Sequence, residues 1–196
     1  MVRYFAILIL PWLAFAQPNT AHDQAFMGNL IKASSEVTLC GVSKDTLTGS
    51  TSDVLNCADT TSDKYWAQKF TAGSTYTLCQ ITLRLKRGYG SPTYTYYASI
   101  YSDSSGTPGS MIGSEKSISG SVVTSSEADV AFTGYSTSIV NGTVYWVVLR
   151  TANVDVNNYV EWCGAGSGTT KYSSNASSWT SSGADNKGGK FTLYGN

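Results

Sequence analysis

The chain has 196 residues, enough for one domain with a sizeable core, and only 13% of them are charged, about half of the usual share. Lysine plus arginine and aspartate plus glutamate each number 13, and the densest basic cluster, residues 84–87, is short. A nucleic-acid-binding surface needs a larger positive footprint, so nucleic acid is not an expected partner.

Residues 1–16 have the pattern of a secretory signal peptide. A positive charge at Arg3 precedes an apolar run, and Ala14-Phe15-Ala16 is the small-x-small pattern that precedes a cleavage site. The apolar run is too short to cross a bilayer. We therefore expect cleavage after Ala16 and a secreted, extracellular mature chain with no membrane span.

Residues 17–64 are predicted to form a leader and an irregular extension that carries two of the four cysteines. An even number of cysteines in an exported chain indicates two disulfides, for which there are three possible connectivities. We favour Cys40–Cys57, which closes a local loop, and Cys79–Cys163, which joins two strands. The other two connectivities stay open.

From residue 65 to residue 196, short alternating apolar runs are separated by Gly, Ser, Pro and Asp. This pattern predicts an all-β, antiparallel β-sandwich of about eight strands. The predicted strands are 65–70, 76–86, 94–102, 111–119, 128–133, 143–150, 158–163 and 190–194. The strand at 143–150 is apolar at both parities, which predicts a central strand covered on both faces and places Trp146 in the core, as we also expect for Trp162.

Two further local predictions follow from the same pattern. In the strand at 76–86, the period of two places four apolar side chains on one face: Cys79, Ile81, Leu83 and Leu85. Residues 164–189 are rich in Gly and Ser, which predicts a long loop or a loose hairpin around Trp179.

Several segments together resemble a known family. They are QKFTAG at 68–73, YTLCQITLRLKR at 76–87, SIYSDSSGTPGSMIG at 99–113, VNGTVYWVVLR at 140–150 and NYVEW at 158–162. They resemble the choice-of-anchor R type of bacterial extracellular domain, over about residues 65–196. The resemblance implies a jelly-roll-like β-sandwich on a secreted or surface protein, and it implies no known reaction.

Aromatic residues make up 12% of the chain and are the main candidates for ligand binding. Exposed Tyr and Trp rings stack on sugar rings through their apolar faces while their polar tips bond to hydroxyls. The predicted ligand-binding residues are Tyr89, Tyr94, Tyr96, Tyr97, Tyr172 and Trp179. Since alternate positions of a strand point to opposite faces, Tyr94 and Tyr96 cannot all share the core with Tyr97 and Tyr101.

Asp155, Asn157 and Asn158 are closely spaced oxygen donors of the kind that calcium binds. The alternative is a turn stabilised by side-chain to backbone hydrogen bonds, which Asp and Asn also favour. Calcium is the only cofactor that the sequence suggests.

Catalysis is not expected. The only histidine, His22, lies in the leader, which leaves no serine–histidine arrangement in the sandwich. A pair of carboxylates hydrolyses glycosides without histidine, and Glu161 with Asp155, Glu127 or Asp129 is the candidate set. The alternative is that Glu161 simply faces outward from its strand.

The sequence thus favours a secreted, non-catalytic binding or adhesion domain whose partner is a glycan or a surface protein. One alternative is a structural subunit of an extracellular matrix, a filament or a virion surface. In that case the chain would self-associate, because low charge and open strand edges favour pairing between copies. The other alternative is a glycoside-active enzyme.

Overall fold

The computed structural model describes residues 40–48, 54–57, 64–153, 155–164, 168–181 and 188–196, with the backbone alone for 54–57. The predicted signal peptide and the leader up to residue 39 lie outside these ranges. Within them the protein is all-β, in agreement with the predicted fold class, and the single helix is a 3-10 turn at Gly120–Val122. No helix among these residues has the length and apolarity needed to cross a membrane.

The described ranges contain twelve strands in two antiparallel sheets that face each other. The strands are β1 (Val42–Leu47), β2 (Val54–Cys57), β3 (Tyr65–Thr71), β4 (Tyr76–Tyr89), β5 (Thr95–Ser104), β6 (Thr107–Ser119), β7 (Ala128–Ile139), β8 (Val144–Thr151), β9 (Tyr159–Cys163), β10 (Thr170–Ser173), β11 (Thr180–Ser181) and β12 (Phe191–Gly195). The first sheet has the order β1-β12-β4-β9-β2, with β7 also paired to β4. The second sheet has the order β11-β10-β3-β8-β5-β6.

The main core lies between the two sheets and consists of the inward side chains of both. Ile81, Leu83 and Leu85 of β4 are buried there, and so are Val147 and Leu149 of β8. β8 pairs with β3 on one side and with β5 on the other, and its residues from Tyr145 to Leu149 are all buried. The prediction of a central strand covered on both faces is therefore confirmed, as is the burial of Trp146 and Trp162.

The prediction that Cys79 shares a face with Ile81 is wrong. Leu78 and Ile81 are both fully buried, and the pairing register of β4 shifts at Cys79 against both β12 and β7. A β-bulge adds one residue to a strand and so reverses the alternation on its two sides. Cys79 consequently leaves the core face, while Leu78 takes the place that simple alternation assigns to it.

The sandwich begins before residue 65, contrary to the predicted boundary. β1 pairs with β12 and β2 pairs with β9, so two segments of the predicted irregular extension are strands of the first sheet. β1 lacks an alternating apolar pattern because its buried position is Asp45. The carboxylate of Asp45 accepts hydrogen bonds from the Gly73 backbone N–H at 2.9 Å and from the Tyr76 hydroxyl at 2.7 Å.

The disulfide in the structure is Cys40–Cys79, with a Cα–Cα distance of 5.8 Å. Both predicted bridges, Cys40–Cys57 and Cys79–Cys163, are therefore wrong. The physical reason is the position of β1, which places Cys40 beside the bulge of β4 and away from the strand that carries Cys57. Cys163 is a buried free thiol, and its partner in the register of β2 and β9 is Val54.

Candidate binding face

The second sheet has a second, smaller apolar cluster on its outer face, the face directed away from the main core. Directly paired residues of antiparallel strands project on the same face, so the register defines which residues share it. Three rows cross β3, β8 and β5 on this face: Tyr65–Arg150–Tyr97, Ala67–Val148–Ser99 and Lys69–Trp146–Tyr101. The middle row consists of small side chains between two rows of large ones.

Trp179 lies over the middle row. It comes from the segment between β10 and β11, and its ring centroid is 6.3 Å from the rings of both Tyr65 and Tyr101, edge-on to each. The indole N–H donates to the backbone carbonyl of Ala176 at 3.2 Å, which fixes the ring against its own turn. Trp146, beneath, has no exposed surface. We call the four partly buried rings Tyr65, Tyr97, Tyr101 and Trp179 the aromatic face.

Arg150 and Glu115 form an ordered charged pair at one end of the aromatic face. The guanidinium carbon of Arg150 lies 3.7 Å from the centroid of the Tyr97 ring, which is a cation–π contact. Two guanidinium nitrogens of Arg150 also contact the two carboxylate oxygens of Glu115, with Nε to Oε2 at 2.8 Å. The carboxylate raises the pKa of Arg150. The pair holds the Tyr97 ring in a fixed orientation, with Arg150 against one face of the ring and the opposite face not in contact with Arg150.

Polar groups surround the other end of the face. The Trp146 indole N–H donates to Asp103 Oδ1 at 2.8 Å, and the Lys69 ammonium lies 5.9 Å from the centroid of the Trp146 ring. The pKa of Asp103 is lowered, first by the backbone N–H of Gly106 and then by the Trp146 indole. Burial raises the pKa of Tyr101 further above its ordinary value, and its protonated hydroxyl is a hydrogen-bond donor.

The predicted ligand-binding aromatics divide among four places. Tyr97 and Trp179 lie on the aromatic face, and Tyr89, which is 60% exposed, lies with Tyr94 at one end of the sandwich. Tyr96 is fully buried in the main core, which removes it from any surface site. Tyr172 packs against Trp66 on the opposite side of the second sheet from Trp179, with ring centroids 5.4 Å apart.

The sequence did not single out Tyr65, Arg150 and Glu115 as members of this face. Tyr101 was expected opposite to Tyr96, and the structure confirms that alternation. The period of two was therefore a sufficient signal within β5. It carried no information on Tyr65 or Arg150, because those residues join the face through pairing between β3, β8 and β5.

The loop that carries Asp155 forms a hydrogen-bonded turn. Asp155 Oδ1 accepts from the Asn157 backbone N–H at 2.8 Å, and Oδ2 accepts from Asn158 Nδ2 at 2.8 Å and from the Tyr94 hydroxyl at 3.1 Å. These donors lower the pKa of Asp155, Asn158 foremost. No group of three or more His, Cys, Asp or Glu side chains in the described ranges is arranged to hold a metal ion. The calcium site stays a prediction.

The candidate catalytic carboxylates lie mainly on the outer face of the first sheet. Glu161 Oε2 is 2.8 Å from the Lys86 ammonium and raises its pKa. Glu127 and Asp129 both lie near Arg84, with oxygen–nitrogen distances of 3.7 and 3.1 Å. A pocket of about 210 Å³ opens beside Arg84. Asp155 belongs to the loop described above and is not among these groups.

A scan of the sequence against models of known protein families finds no match, and a search among curated proteins finds none that is significantly similar. The resemblance to choice-of-anchor R domains therefore stays a prediction. The all-β sandwich and its disulfide rest on the structure alone.

Proposed function

We propose that the protein is an extracellular, non-catalytic binding domain that holds carbohydrate on the aromatic face. The observation that carries the proposal is the partial exposure of four aromatic rings on one face of a sheet. Tyr65, Tyr101 and Trp179 pack against the buried cluster that contains Trp146, and Tyr97 lies in the same row as Tyr65. Such rings offer apolar planes to the C–H faces of a sugar. The hydroxyls of the tyrosines and the charged groups beside them offer hydrogen bonds to its hydroxyls.

Export is part of the proposal. It is supported by the signal-peptide pattern of residues 1–16 and by the disulfide Cys40–Cys79, because disulfides persist in oxidising compartments. Extracellular glycans would then be the carbohydrates that the domain meets.

The geometry of the face favours a sugar over a purely apolar ligand. Arg150 and Glu115 lie directly beside Tyr97, and Lys69 and Asp103 lie beside Trp146, so each end of the face carries charged groups of both signs. Binding sites of this kind combine aromatic surface with a few fixed polar groups that orient the ligand. Arg150, Glu115 and Asp103 are already ordered by hydrogen bonds, which lowers the entropic cost of binding.

A glycan array followed by isothermal titration calorimetry of the best ligand tests the proposal. We expect the Tyr97→Ala variant to bind that ligand at least tenfold more weakly, which corresponds to about 1.4 kcal/mol. The matched control is Tyr89→Ala, which removes an exposed tyrosine outside the aromatic face. A glycan array without signal would refute the proposal, and so would a loss of affinity in Tyr89→Ala that equals the loss in Tyr97→Ala.

A structural role in an assembly is a second candidate, because β1 is the last strand of the first sheet and its Val42 is 63% exposed. In the described ranges no strand pairs with the second edge of β1, and an open edge accepts a strand from another copy. Size-exclusion chromatography with light scattering tests this role. A strict monomer at high concentration would refute it.

A further inference from the structure

Arg87 lies on the core side of β4, where a charged side chain is unusual. It pairs directly with the fully buried Val160 of β9, so the two side chains project on the same face of the first sheet. Its neighbour Lys86 projects on the other face and pairs with Glu161. Arg87 is thus a partly buried cation at the end of the main core, beneath the loops that close the sandwich.

Arg87 has no carboxylate within 4 Å in the part of the chain that the structure describes. By contrast, Arg84, Lys86 and Arg150 each have one, at distances that define ion pairs. Withdrawing a charge from water is costly unless an opposite charge or hydrogen-bond acceptors compensate for it. An anion from outside the chain would supply that compensation.

A pocket of about 170 Å³ opens beside Arg87, at the same end of the sandwich. Three hydroxyl side chains line it, from Ser91 and Thr93 on one loop and Ser121 on the 3-10 turn. Hydroxyl groups donate hydrogen bonds to anion oxygens, and a guanidinium binds sulfate, phosphate or carboxylate through a planar fork of N–H groups. The pocket therefore combines one cation with several donors.

The walls of the pocket are held in place by hydrogen bonds and close packing. The backbone N–H of Gly120 donates to the Tyr94 carbonyl at 2.8 Å, and that of Arg87 donates to the Thr124 carbonyl at 2.7 Å. A Cβ at Gly120 would lie 2.7 Å from the Tyr96 ring, so only glycine permits this approach of the 3-10 turn. The Ser91 N–H is bonded to Asn158 Oδ1 at 2.9 Å. The pocket is preorganised.

We propose that this pocket is an anion site, with Arg87 as its central cation, and that it takes an acidic substituent of the bound glycan. The link to the glycan rests on the proposed function, whereas the anion site itself does not. Tyr97 of the aromatic face is four residues from Thr93 of the pocket, so the chain between them spans at most about 13 Å. A glycan of a few sugar units spans that distance, so its sulfate, phosphate or carboxylate group reaches Arg87 while a neighbouring ring lies on the face.

Titrations with inorganic sulfate, phosphate and acetate, followed by amide NMR shifts, test the anion site on the whole protein. We expect saturable shifts of the amides of Ser91, Thr93 and residues 120–123 with at least one of the three anions, and at least tenfold weaker binding in Arg87→Gln. The matched control is Arg84→Gln, which removes the same charge from the other face of the same strand and should bind as wild type does. Equal binding by Arg87→Gln and wild type, or no saturable binding, would overturn the anion site.

The double variant Thr93→Val/Ser121→Ala keeps the test valid if Arg87→Gln fails to fold. It removes two lining hydroxyls at little change in size, and we expect severalfold weaker anion binding. Wild-type affinity in this folded variant would overturn the assigned lining.

Matched acidic and neutral forms of one glycan test the joint site. We expect Arg87→Gln to bind both forms as wild type binds the neutral one, and Tyr97→Ala to weaken both forms. If anion binding holds but both variants bind glycans as wild type does, the proposed function fails and the anion site remains. If Tyr97→Ala weakens both forms and Arg87→Gln preserves the preference for the acidic one, the anion subsite fails and the aromatic face remains.

Discussion

The bridge Cys40–Cys79 attaches the N-terminal strand β1 to the middle of the first sheet, and its removal should be strongly destabilising. The two cysteines are 39 residues apart in sequence. In the chain-entropy model a cross-link that closes a loop of this length stabilises the fold by about 4 kcal/mol, because it restricts the unfolded chain. For a domain of this size that loss lowers Tm by roughly 8–16 °C.

The perturbation is the double variant Cys40→Ala/Cys79→Ala, which avoids leaving one unpaired thiol. Urea unfolding followed by tryptophan fluorescence measures the change in free energy, and calorimetry measures Tm. A decrease of less than about 1 kcal/mol with an unchanged urea dependence would contradict the entropic reasoning.

Peptide mapping tests the connectivity separately. Cleavage at Lys and Arg places each cysteine on its own peptide, namely 33–44, 45–64, 70–84 and 151–171. Without reductant, we expect peptides 33–44 and 70–84 to appear as one cross-linked species. A species that joins 33–44 to 45–64 would instead restore the local bridge Cys40–Cys57.

Three further predictions concern buried polar groups. Burial raises the pKa of the Cys163 thiol to about 12, so at pH 8 this thiol should be alkylated at least about a hundredfold more slowly in the folded protein than in urea, as read from peptide 151–171. Equal alkylation rates would show that the thiol is accessible. Asp45→Ala leaves the Tyr76 hydroxyl without its acceptor and should cost about 1–3 kcal/mol in urea unfolding, whereas Asp45→Asn retains an acceptor and should cost less. Burial raises the pKa of Tyr135 above its ordinary value of 10.0, so the stability that its protonated hydroxyl contributes is fully present below pH 10 and is lost above it, at up to about 1.4 kcal/mol per pH unit. In the Tyr135→Phe variant the free energy of unfolding should fall less steeply above pH 10. An unchanged dependence of that free energy on pH would contradict this assignment.

Most of the sandwich was predictable because its strands obey the period of two. From Tyr65 onward each predicted strand overlaps a strand of the structure, and the ambiguous region at 164–189 contains the short hairpin of β10 and β11. β1 was missed because Asp45, rather than an apolar residue, is its buried member. A carboxylate that is stabilised by Gly73 and Tyr76, both distant in sequence, cannot be recognised from its neighbours.

The disulfide was mispredicted for a related reason. The choice among three connectivities depends on where β1 pairs, and that pairing is set by contacts with β12, about 150 residues later in the sequence. The bulge at Cys79 adds a second difficulty, because it moves the side chain off the face that alternation assigns to it. Within the candidate site, the alternation of side chains along β5 was enough to place Tyr97 and Tyr101 on the face opposite to Tyr96. The position of Arg150 beside Tyr97 could not be predicted, because it depends on the order of the strands in the sheet.

The aromatic face is only partly buried, and this distinguishes the rings that stabilise the fold from the rings that are available to a ligand. Ala67, Trp146 and Val148 are fully buried, and a cover over them is sufficient to seal the outer side of the second sheet. A purely structural cover stabilises most when its own rings are buried as well, since stabilisation grows with the apolar area removed from water. Tyr97 adds little to that cover because it lies one row beyond the residues that Trp179 shields, and Arg150 holds it in place. Replacing Trp179 should therefore affect stability and binding together, whereas replacing Tyr97 should affect binding with little loss of stability, and this difference is the signature of a ligand-binding role.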